Sequence, residues 1–482
     1  MRSSGWDKET IKGKFSSFLL LMMTTITMIA LFIGGMLGTV GPYAFVITIG
    51  AMIVVIIMLL RQDELAVTVV IAVHLYFDWY LGLHLVALLL AFVLLLVFFL
   101  ARSSQHPWVE PRALWLWGVF LLITIYPAIR GGVLMLYDAA SYYPSNILGA
   151  CMMFWLGIVV ARNKACVRRF FKIFAAFGTL LAIHTLIQAI TGVVLFSSPH
   201  IDAFLAQSDV LNYQLAGSDA HRAGSFFIDP NWNGTFFATI FFLPFGLFVE
   251  SSSLLEKALY LAEMCLILPA LLFTYSNGAW IGIFAGIIAF EVFVGRNRYR
   301  VLLPIFILIG VVIIEVLFQA QIALQFQHAT GANEVSLRVA AWQTAIQVIE
   351  AFPLTGVGLG YQAYLLRADP YRVPAQFVPL SHPHDSYLEW GAMGGLPVFI
   401  IFMALMLFAL CLAMRNWRLV DVRTRSLLGG GIAAVIALSI NSVSINGWTL
   451  PPLAAIGWLI LGVISSPLLA KSLSSEVTQE KK

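Results

Sequence analysis

The stretch "LVALLLAFVLLLVFFLA" (residues 85–101) decides the fold class, because it contains no charged side chain. A run of about 18 predominantly apolar residues is long enough to cross the hydrocarbon core of a bilayer as a helix. Similar runs occur at "FLLLMMTTITMIALFIGGML" (18–37) and "VLLPIFILIGVVIIEVLF" (301–318). The chain has a mean hydropathy of +0.91, and 60% of its 482 residues are hydrophobic while 11% are charged. This composition indicates an integral membrane protein.

The apolar runs predict an all-α, polytopic fold with about fourteen transmembrane helices, in the range of roughly 12–14, and short helices in long outer loops. The predicted spans lie near residues 16–37, 41–60, 65–82, 84–101, 113–129, 145–161, 172–197, 232–250, 257–273, 278–295, 301–319, 387–414, 426–446 and 451–467. The first span is too long for a cleaved signal peptide, and a second span follows it at once.

These spans divide the chain into six predicted regions. They are N-terminal transmembrane helices (1–197), a first outer loop (198–231), further transmembrane helices (232–319), a large outer loop (320–386), C-terminal transmembrane helices (387–470) and a cytoplasmic tail (471–482). The polar, glycine-rich stretch "SHPHDSYLEWGAMGG" (381–395) begins at the end of the large outer loop and continues into the predicted span 387–414.

Basic residues predict the orientation, because cytoplasmic loops of membrane proteins retain Lys and Arg. With both termini in the cytoplasm, the inner side holds all nine lysines and fourteen of the nineteen arginines, out of 28 basic residues together. The arginines on the outer side are Arg130, Arg222, Arg338, Arg367 and Arg372. This bias explains the net charge of +4, so no nucleic-acid partner is expected.

Several classes of protein are disfavoured by the motifs. The four cysteines form no CxxC pair, and no Walker or Rossmann glycine signature occurs. The outer loops hold no compact acidic cluster with metal-ligand spacing. We therefore expect neither a cofactor nor a metal, and no nucleotide-driven motor.

The large outer loop is predicted to begin with an amphipathic helix and continue into a tight turn. One helical face carries Leu337, Ala341, Ala345, Val348 and Ile349, with Arg338 and Gln343 lying off it. Pro353 is followed by Gly356, Gly358 and Gly360. These glycines predict a turn region that can approach a ligand closely.

Three segments resemble the O-antigen ligase and polymerase superfamily of bacterial membrane glycosyltransferases. They are "RAGSFFIDPNWNG" (222–234), "SLRVAAWQTAIQVIEAFPLTGVGLGYQAY" (336–364) and "HDSYLEWGAMGGL" (384–396). The third is the most specific, and His384, Tyr387, Leu388, Glu389 and Gly395 match its pattern. The likeness covers roughly residues 220 to 410.

The chain departs from the family pattern at three positions. Asp385 replaces the usual Asn, and Val398 stands where a second glycine is common. Asn277 occupies a position that generally carries Arg in the family. The last change removes a positive charge often found near the site.

The resemblance implies glycan transfer at the outer (periplasmic) face of the bacterial inner membrane. The donor would be an oligosaccharide on a polyprenyl diphosphate, and the acceptor a sugar hydroxyl of a glycan or of lipid A core. The resemblance also implies inversion of the anomeric centre and a reaction that needs no metal. Other polysaccharide-assembly proteins are expected partners besides the lipid bilayer. Ligase and polymerase are not separated by the sequence.

The candidate residues suit this chemistry. His384 is the candidate general base, because imidazole accepts a proton near neutral pH. Arg222 and Arg338 are candidates for binding the diphosphate, since a guanidinium binds phosphate oxygens bidentately and stays charged. The alternatives are a helix cap or a loop contact for His384, a lipid-headgroup anchor for Arg222, and a surface contact within its helix for Arg338.

Other residues receive secondary assignments. His382 is the rival base, with a loop contact as its alternative. Arg367 and Arg372 are candidates for the substrate channel. We expect Tyr387, Glu389 and Asp385 to support the histidine loop structurally.

A rival class is a secondary transporter that exports a lipid-linked sugar or imports a small anion. Ionisable residues within the predicted spans, such as His184 and Glu263, are the features that favour it. Against it, no half of the chain resembles the other, and the arginines and glycine breaks lie on one face. The cell-division family that polymerises peptidoglycan is a more distant resemblance.

Overall fold

The computed structural model describes residues 63–80, 86–102, 111–195, 222–294, 332–373 and 381–470, together with residues 319, 322 and 472. Every regular element in these ranges is helical, which confirms the all-α class. The α-helices are Asp63–Val73, Val86–Arg102, Pro111–Ile123, Ile125–Gly132, Leu136–Tyr142, Gly149–Val160, Lys164–Thr191, Pro230–Ile240, Phe242–Glu250, Leu254–Leu272, Asn277–Phe293, Ala332–Ala351, Tyr361–Arg367, Ser386–Gly394, Leu396–Leu419, Val422–Asn441 and Pro451–Ser465. Short π or 3-10 turns occupy His74–Tyr80, Tyr143–Leu148, Ser225–Phe227 and Asp369–Tyr371.

Seven continuous helical stretches in the described ranges are long and apolar enough to cross a membrane. They are Arg112–Gly132, Leu136–Val160, Lys164–Thr191, Pro230–Glu250, Leu396–Leu419, Val422–Asn441 and Pro451–Ala470. The predicted spans at 16–37, 41–60 and 301–319 lie outside the described residues. The count of about fourteen therefore stays a prediction.

The helix Pro451–Ser465 lies at the centre of the bundle, where every one of its residues is buried. It crosses Gly149–Val160 at backbone contact, because a Cβ on Gly157 would lie 2.3 Å from the Leu459 carbonyl oxygen. Indole and phenyl rings fill the layer beside this crossing: Trp117 and Trp458 have centroids 4.9 Å apart, and Trp448 and Trp458 5.3 Å apart. This aromatic layer packs the helix Pro451–Ser465 against its neighbours.

The predicted span at 387–414 is wrong at its start, because the structure divides it at Gly395. Gly395 has a φ of 84°, and a Cβ there would lie 2.7 Å from the Leu354 carbonyl. The Leu396 N–H donates to the Pro353 carbonyl oxygen at 2.8 Å instead of continuing the preceding helix. Ser386–Gly394 is consequently a short separate helix ahead of the apolar helix Leu396–Leu419.

One end of the bundle, here called the ion-pair end, joins acidic and basic side chains from separate segments. The pairs are Arg162–Asp63 (2.5 Å), Lys164–Asp421 (2.9 Å), Arg168–Glu250 (2.9 Å), Arg168–Glu256 (2.6 Å), Arg169–Glu64 (3.3 Å) and Lys172–Glu256 (2.7 Å). These residues belong to segments that the basic-residue bias predicts on one side of the membrane. The basic residues of 164–172 lie in the first turns of a helix, not in a loop as predicted.

Helix directions place the candidate site at the opposite end. The stretch Pro230–Glu250 begins beside Arg222 and ends at the ion pair of Glu250. Val422–Asn441 likewise begins at Asp421 and ends next to Ser442. We call this opposite end, which carries the loop 381–385 and the turn 442–450, the histidine end.

Candidate functional site

The loop 381–385 holds two histidines in close contact. His384 has a φ of 54°, in the left-handed region that residues other than glycine rarely adopt. Its main-chain N–H donates to Nδ1 of His382 at 3.2 Å, and the two rings have centroids 4.2 Å apart. Such strain persists only where surrounding contacts hold it, and it concentrates at functional sites.

Asp385 caps the short helix Ser386–Gly394. Its Oδ1 accepts the N–H groups of Tyr387 at 2.7 Å and Leu388 at 2.9 Å. Burial nevertheless raises the pKa of Asp385 to about 6, against the lowering effect of these two N–H groups. The capping role considered for His384 therefore belongs to its neighbour.

The start of this helix is fixed to the end of Val422–Asn441 and the turn that follows. The Ser386 N–H donates to the Ser442 carbonyl oxygen at 2.9 Å, and Ser386 Oγ accepts the Trp448 N–H at 2.9 Å. The Tyr387 hydroxyl donates to the Ser439 carbonyl oxygen at 2.8 Å. The histidine loop is thus held from both sides of the turn 442–450, and Tyr387 has the contacts of a supporting residue.

Both imidazoles have lowered pKa values. Burial lowers the pKa of His382 to about 4. For His384, burial first, then His382 and Arg338, hold the pKa well below the ordinary 6.5. Both rings are therefore neutral at pH 7, and a neutral imidazole has a nitrogen that can accept a proton.

Arg338 lies close to His384, although the two are far apart in sequence. It projects from Ala332–Ala351, and its Nη1 donates to the Ser444 carbonyl oxygen at 3.0 Å, in the turn that also supports the histidine loop. Its charge contributes to the lowered pKa of His384. The side chain is half-buried. A carbonyl partner leaves the full positive charge of the guanidinium in place.

Arg222 is more deeply buried, with 5% exposure, and its contacts tie two segments together. Nε donates to the Thr274 carbonyl oxygen at 2.9 Å, and Nη2 donates to Asn231 Oδ1 at 2.7 Å. Thr274 precedes the helix Asn277–Phe293, which carries Asn277 at its start. These bonds give Arg222 a structural role at the histidine end, and its role in diphosphate binding stays a prediction.

The two remaining arginine candidates differ in their partners. Arg367 donates from Nη1 to the Val357 carbonyl oxygen. Arg372 forms an ion pair with Asp369 at 2.7 Å and donates to the Leu365 carbonyl oxygen at 3.0 Å. The charge of Arg372 is therefore matched locally, whereas that of Arg367 meets only a carbonyl dipole among its described contacts.

Glu389 is fully buried below the histidine loop, where Tyr142 and Tyr361 surround it. The Tyr142 hydroxyl donates to Glu389 Oε1 at 3.0 Å, and the Tyr361 hydroxyl donates to the Thr449 carbonyl oxygen at 3.2 Å. The Tyr361 ring also meets His382 edge-on, with centroids 5.7 Å apart. This network accords with the supporting role predicted for Glu389, while both tyrosines were missed from the sequence. The polar break "YDAASYY" (137–143) was the available signal for Tyr142.

The glycine-rich turn packs closely against other segments of the protein. Gly356, Gly358 and Gly360 have φ values of 57°, 110° and 120°. A Cβ on Gly356 would lie 2.3 Å from the Met393 carbonyl oxygen, and one on Gly360 would lie 2.3 Å from Asp138 Oδ2. The turn therefore joins the large outer segment to the helices beside the histidine loop.

Comparison with known proteins gives one family match. Residues 264–403 match the O-antigen ligase family, which confirms the resemblance to the O-antigen ligase and polymerase superfamily. The matched region contains Arg338, Arg367 and His384, while Arg222 precedes it. Among curated proteins, none matches the chain. The family match and the apolar helices together support a bacterial membrane protein with a glycosyltransferase-type role in polysaccharide assembly.

Proposed function

We propose that this protein transfers an oligosaccharide from a polyprenyl-diphosphate donor to a sugar hydroxyl, as an inverting O-antigen ligase or polysaccharide polymerase. The observation that carries the proposal is the meeting of a neutral His384 with the charged Arg338 beside one turn of the chain. This transfer requires a base that accepts the proton of the acceptor hydroxyl and a cation that binds the leaving diphosphate.

His384 is the proposed general base. The acceptor hydroxyl is a weak nucleophile and must lose its proton as it attacks the anomeric carbon. A lowered pKa keeps the imidazole neutral at pH 7, so the accepting nitrogen is available. The hydrogen bond from His384 N–H to His382 Nδ1 supports a positioning role for His382.

Arg338 is the proposed partner of the leaving diphosphate. Negative charge grows on the diphosphate as the glycosidic bond breaks, and a fixed guanidinium stabilises that charge in the transition state. The bond to the Ser444 carbonyl oxygen orients the group without neutralising it. We propose that Arg222 acts at the same diphosphate or braces the loop beside it.

A proton or solute pathway, as a transporter would need, receives little support from His184. Its Nε2 lies 3.0 Å from the Leu195 carbonyl oxygen, which only accepts, so Nε2 carries the hydrogen. Its Nδ1 then accepts the Ser225 hydroxyl at 2.6 Å. Both nitrogens are occupied in a structural contact.

A labelled lipid-linked oligosaccharide in proteoliposomes tests the proposal. Glycan extension or attachment that depends on His384 supports the transferase. Movement of the intact lipid across the bilayer, without glycan transfer, would identify the protein as a transporter instead. The glycan profile of a deletion strain separates the two transferases, because a polymerase loss removes long chains and a ligase loss removes only their attachment.

A further inference from the structure

A second pair of arginines, Arg130 and Arg367, lies beside the crossing of two backbone segments. The Leu359 N–H donates to the Pro127 carbonyl oxygen at 2.9 Å, and a Cβ on Gly358 would lie 3.0 Å from the carbonyl carbon of Arg130. Arg367 donates to the carbonyl of the adjacent Val357. Both side chains are half-buried.

The pair carries positive charge that no described carboxylate neutralises. The Arg130 guanidinium lies 5.1 Å from the centroid of the Phe352 ring, and its Nε is buried without a hydrogen-bond partner in the described structure. Burial, followed by the charge of Arg130, lowers the pKa of Arg367. Asp369, two residues along the chain from Arg367, pairs with Arg372 at 2.7 Å, and Asp138 accepts the Gln362 N–H at 2.8 Å. Two adjacent guanidiniums repel each other, and a bound anion removes that cost.

The surroundings of the pair indicate an anion that is attached to a lipid. Large apolar side chains flank both arginines and are exposed in the structure; Ile129 is 61% exposed, Val133 77% and Leu366 49%. Basic pockets between membrane helices bind lipid headgroups through this combination of cations and apolar surface. A free, water-soluble anion would need no such apolar rim.

The distance from the histidine loop fits a second lipid beside the donor. Tyr361, at the start of the helix Tyr361–Arg367, contacts His382. Arg367 ends that helix, six residues later, which corresponds to about 9 Å along the axis. A phosphate bound there lies within the length of a short glycan from the proposed base.

We propose that Arg130 and Arg367 form a second phosphate site, which holds the lipid that carries the acceptor sugar. The inference rests on the proposed function, because lipid-to-lipid glycan transfer needs two lipid substrates bound at once. Arg338 serves the donor diphosphate, and the Arg130–Arg367 pair serves the phosphate of the acceptor lipid.

Native mass spectrometry of the full-length protein in phosphatidylcholine nanodiscs, titrated with undecaprenyl diphosphate as the probe, tests this site. We expect two bound equivalents in the wild type and one in the R130Q/R367Q double variant, with affinity at the second site weakened about tenfold or more. R338Q should also bind one, and the triple variant none. R423Q, an exposed arginine at the ion-pair end, is the matched control and should bind two.

Competition experiments identify which kind of phosphate compound occupies the second site. An excess of phosphatidylglycerol or inorganic phosphate that empties the second site would overturn the acceptor assignment in favour of a bulk phospholipid or a free anion. If the double variant does not fold, the single variant R367K replaces it in the test. This variant keeps the positive charge but loses the planar guanidinium, so it should bind the second equivalent of undecaprenyl diphosphate more weakly.

Failure of the two proposals is distinguishable. A single equivalent in the wild type that depends on Arg338 overturns the second site and leaves the proposed function standing. Absence of glycan transfer by a wild type that binds two equivalents overturns the proposed function.

Discussion

The arginines at the two ends of the bundle have different kinds of partner. At the ion-pair end, Arg168 contacts two carboxylates, Glu250 and Glu256. At the histidine end, Arg338 and Arg367 donate to main-chain carbonyl oxygens, and no carboxylate in the described structure pairs with either. Arg372, paired with Asp369, is the exception.

The difference separates structural charge from charge that is available to a substrate. A carboxylate partner cancels most of the field of an arginine and fixes the geometry of the two segments. A carbonyl partner fixes the geometry and leaves the net charge in place. The histidine end is therefore suited to bind an anion through its arginines, while its two imidazoles are neutral at pH 7.

Removal of the base should have the largest effect. His384→Ala is expected to lower glycan transfer by about 10²–10⁴-fold, because no other group replaces the proton acceptor. Alanine also carries a Cβ and keeps the strain of the positive φ, so the transfer rate is compared per folded molecule, with elution profile and unfolding temperature measured beside it. Normal glycan output from His384→Ala would rule out the assigned base, and an equal loss in His382→Ala would shift the assignment to the pair.

Replacement of the planar guanidinium of Arg338 by the point charge of a lysine should have the next largest effect. Arg338→Lys is expected to reduce the transfer rate by roughly tenfold, and Arg338→Gln by about 10²-fold, because the developing charge on the diphosphate loses its partner. Arg222→Lys separates binding from bracing: a loss of thermal stability identifies a brace, and a loss of rate alone identifies a diphosphate contact. Full activity in both lysine variants would remove the diphosphate assignment from the account.

Removal of an ion pair at the ion-pair end should lower the stability of the protein and leave the rate of glycan transfer unchanged. Arg168→Ala leaves the buried Glu250 carboxylate without its 2.9 Å partner, at a cost of about 1–3 kcal/mol after allowance for the partial exposure of Arg168. Unfolding temperature in nanodiscs measures the loss. The transfer rate per folded molecule should equal that of the wild type; a reduced rate would show that the two ends are not independent.

Substitution at the helix cap should have the smallest effect. Asp385→Asn keeps a capping oxygen, whereas Asp385→Ala loses about 1 kcal/mol. Because the folded pKa of about 6 lies above the ordinary aspartate value of 3.8, the carboxylate costs stability increasingly as pH rises from 4 to 6. The Asn variant should therefore gain stability relative to the wild type at pH 7 but not at pH 4. An opposite pH trend would contradict the buried position of this carboxyl.

Hydropathy predicted the helical class and, within the described ranges, most helix positions, because long apolar segments have few alternatives in a bilayer. It missed the break at Gly395, since residues on both sides are apolar and the break depends on the Leu354 backbone. Positive-residue bias predicted the grouping of charges at the ion-pair end, where Arg162 meets Asp63 across 99 residues of sequence.

The site was less accessible to sequence reasoning. The motif around His384 identified the loop, and the quoted segment around Arg338 identified its neighbour. Tyr142 bonds to Glu389 over 247 residues of separation, and no local pattern encodes such a contact. The cap at Asp385 was readable in principle from an acidic residue before a helical run. The partners of Arg222 and Arg367 required the folded chain.

The pH dependence of transfer tests most directly whether His384 and Arg338 act together. We predict that kcat/KM for a labelled lipid-linked oligosaccharide falls in acid with a midpoint well below 6.5, because the base must be neutral and its pKa is lowered. Arg338→Gln removes a nearby positive charge, so the pKa of His384 rises and the midpoint should move to higher pH. An acid midpoint that is the same in both proteins, or that persists in His384→Ala, would contradict the account.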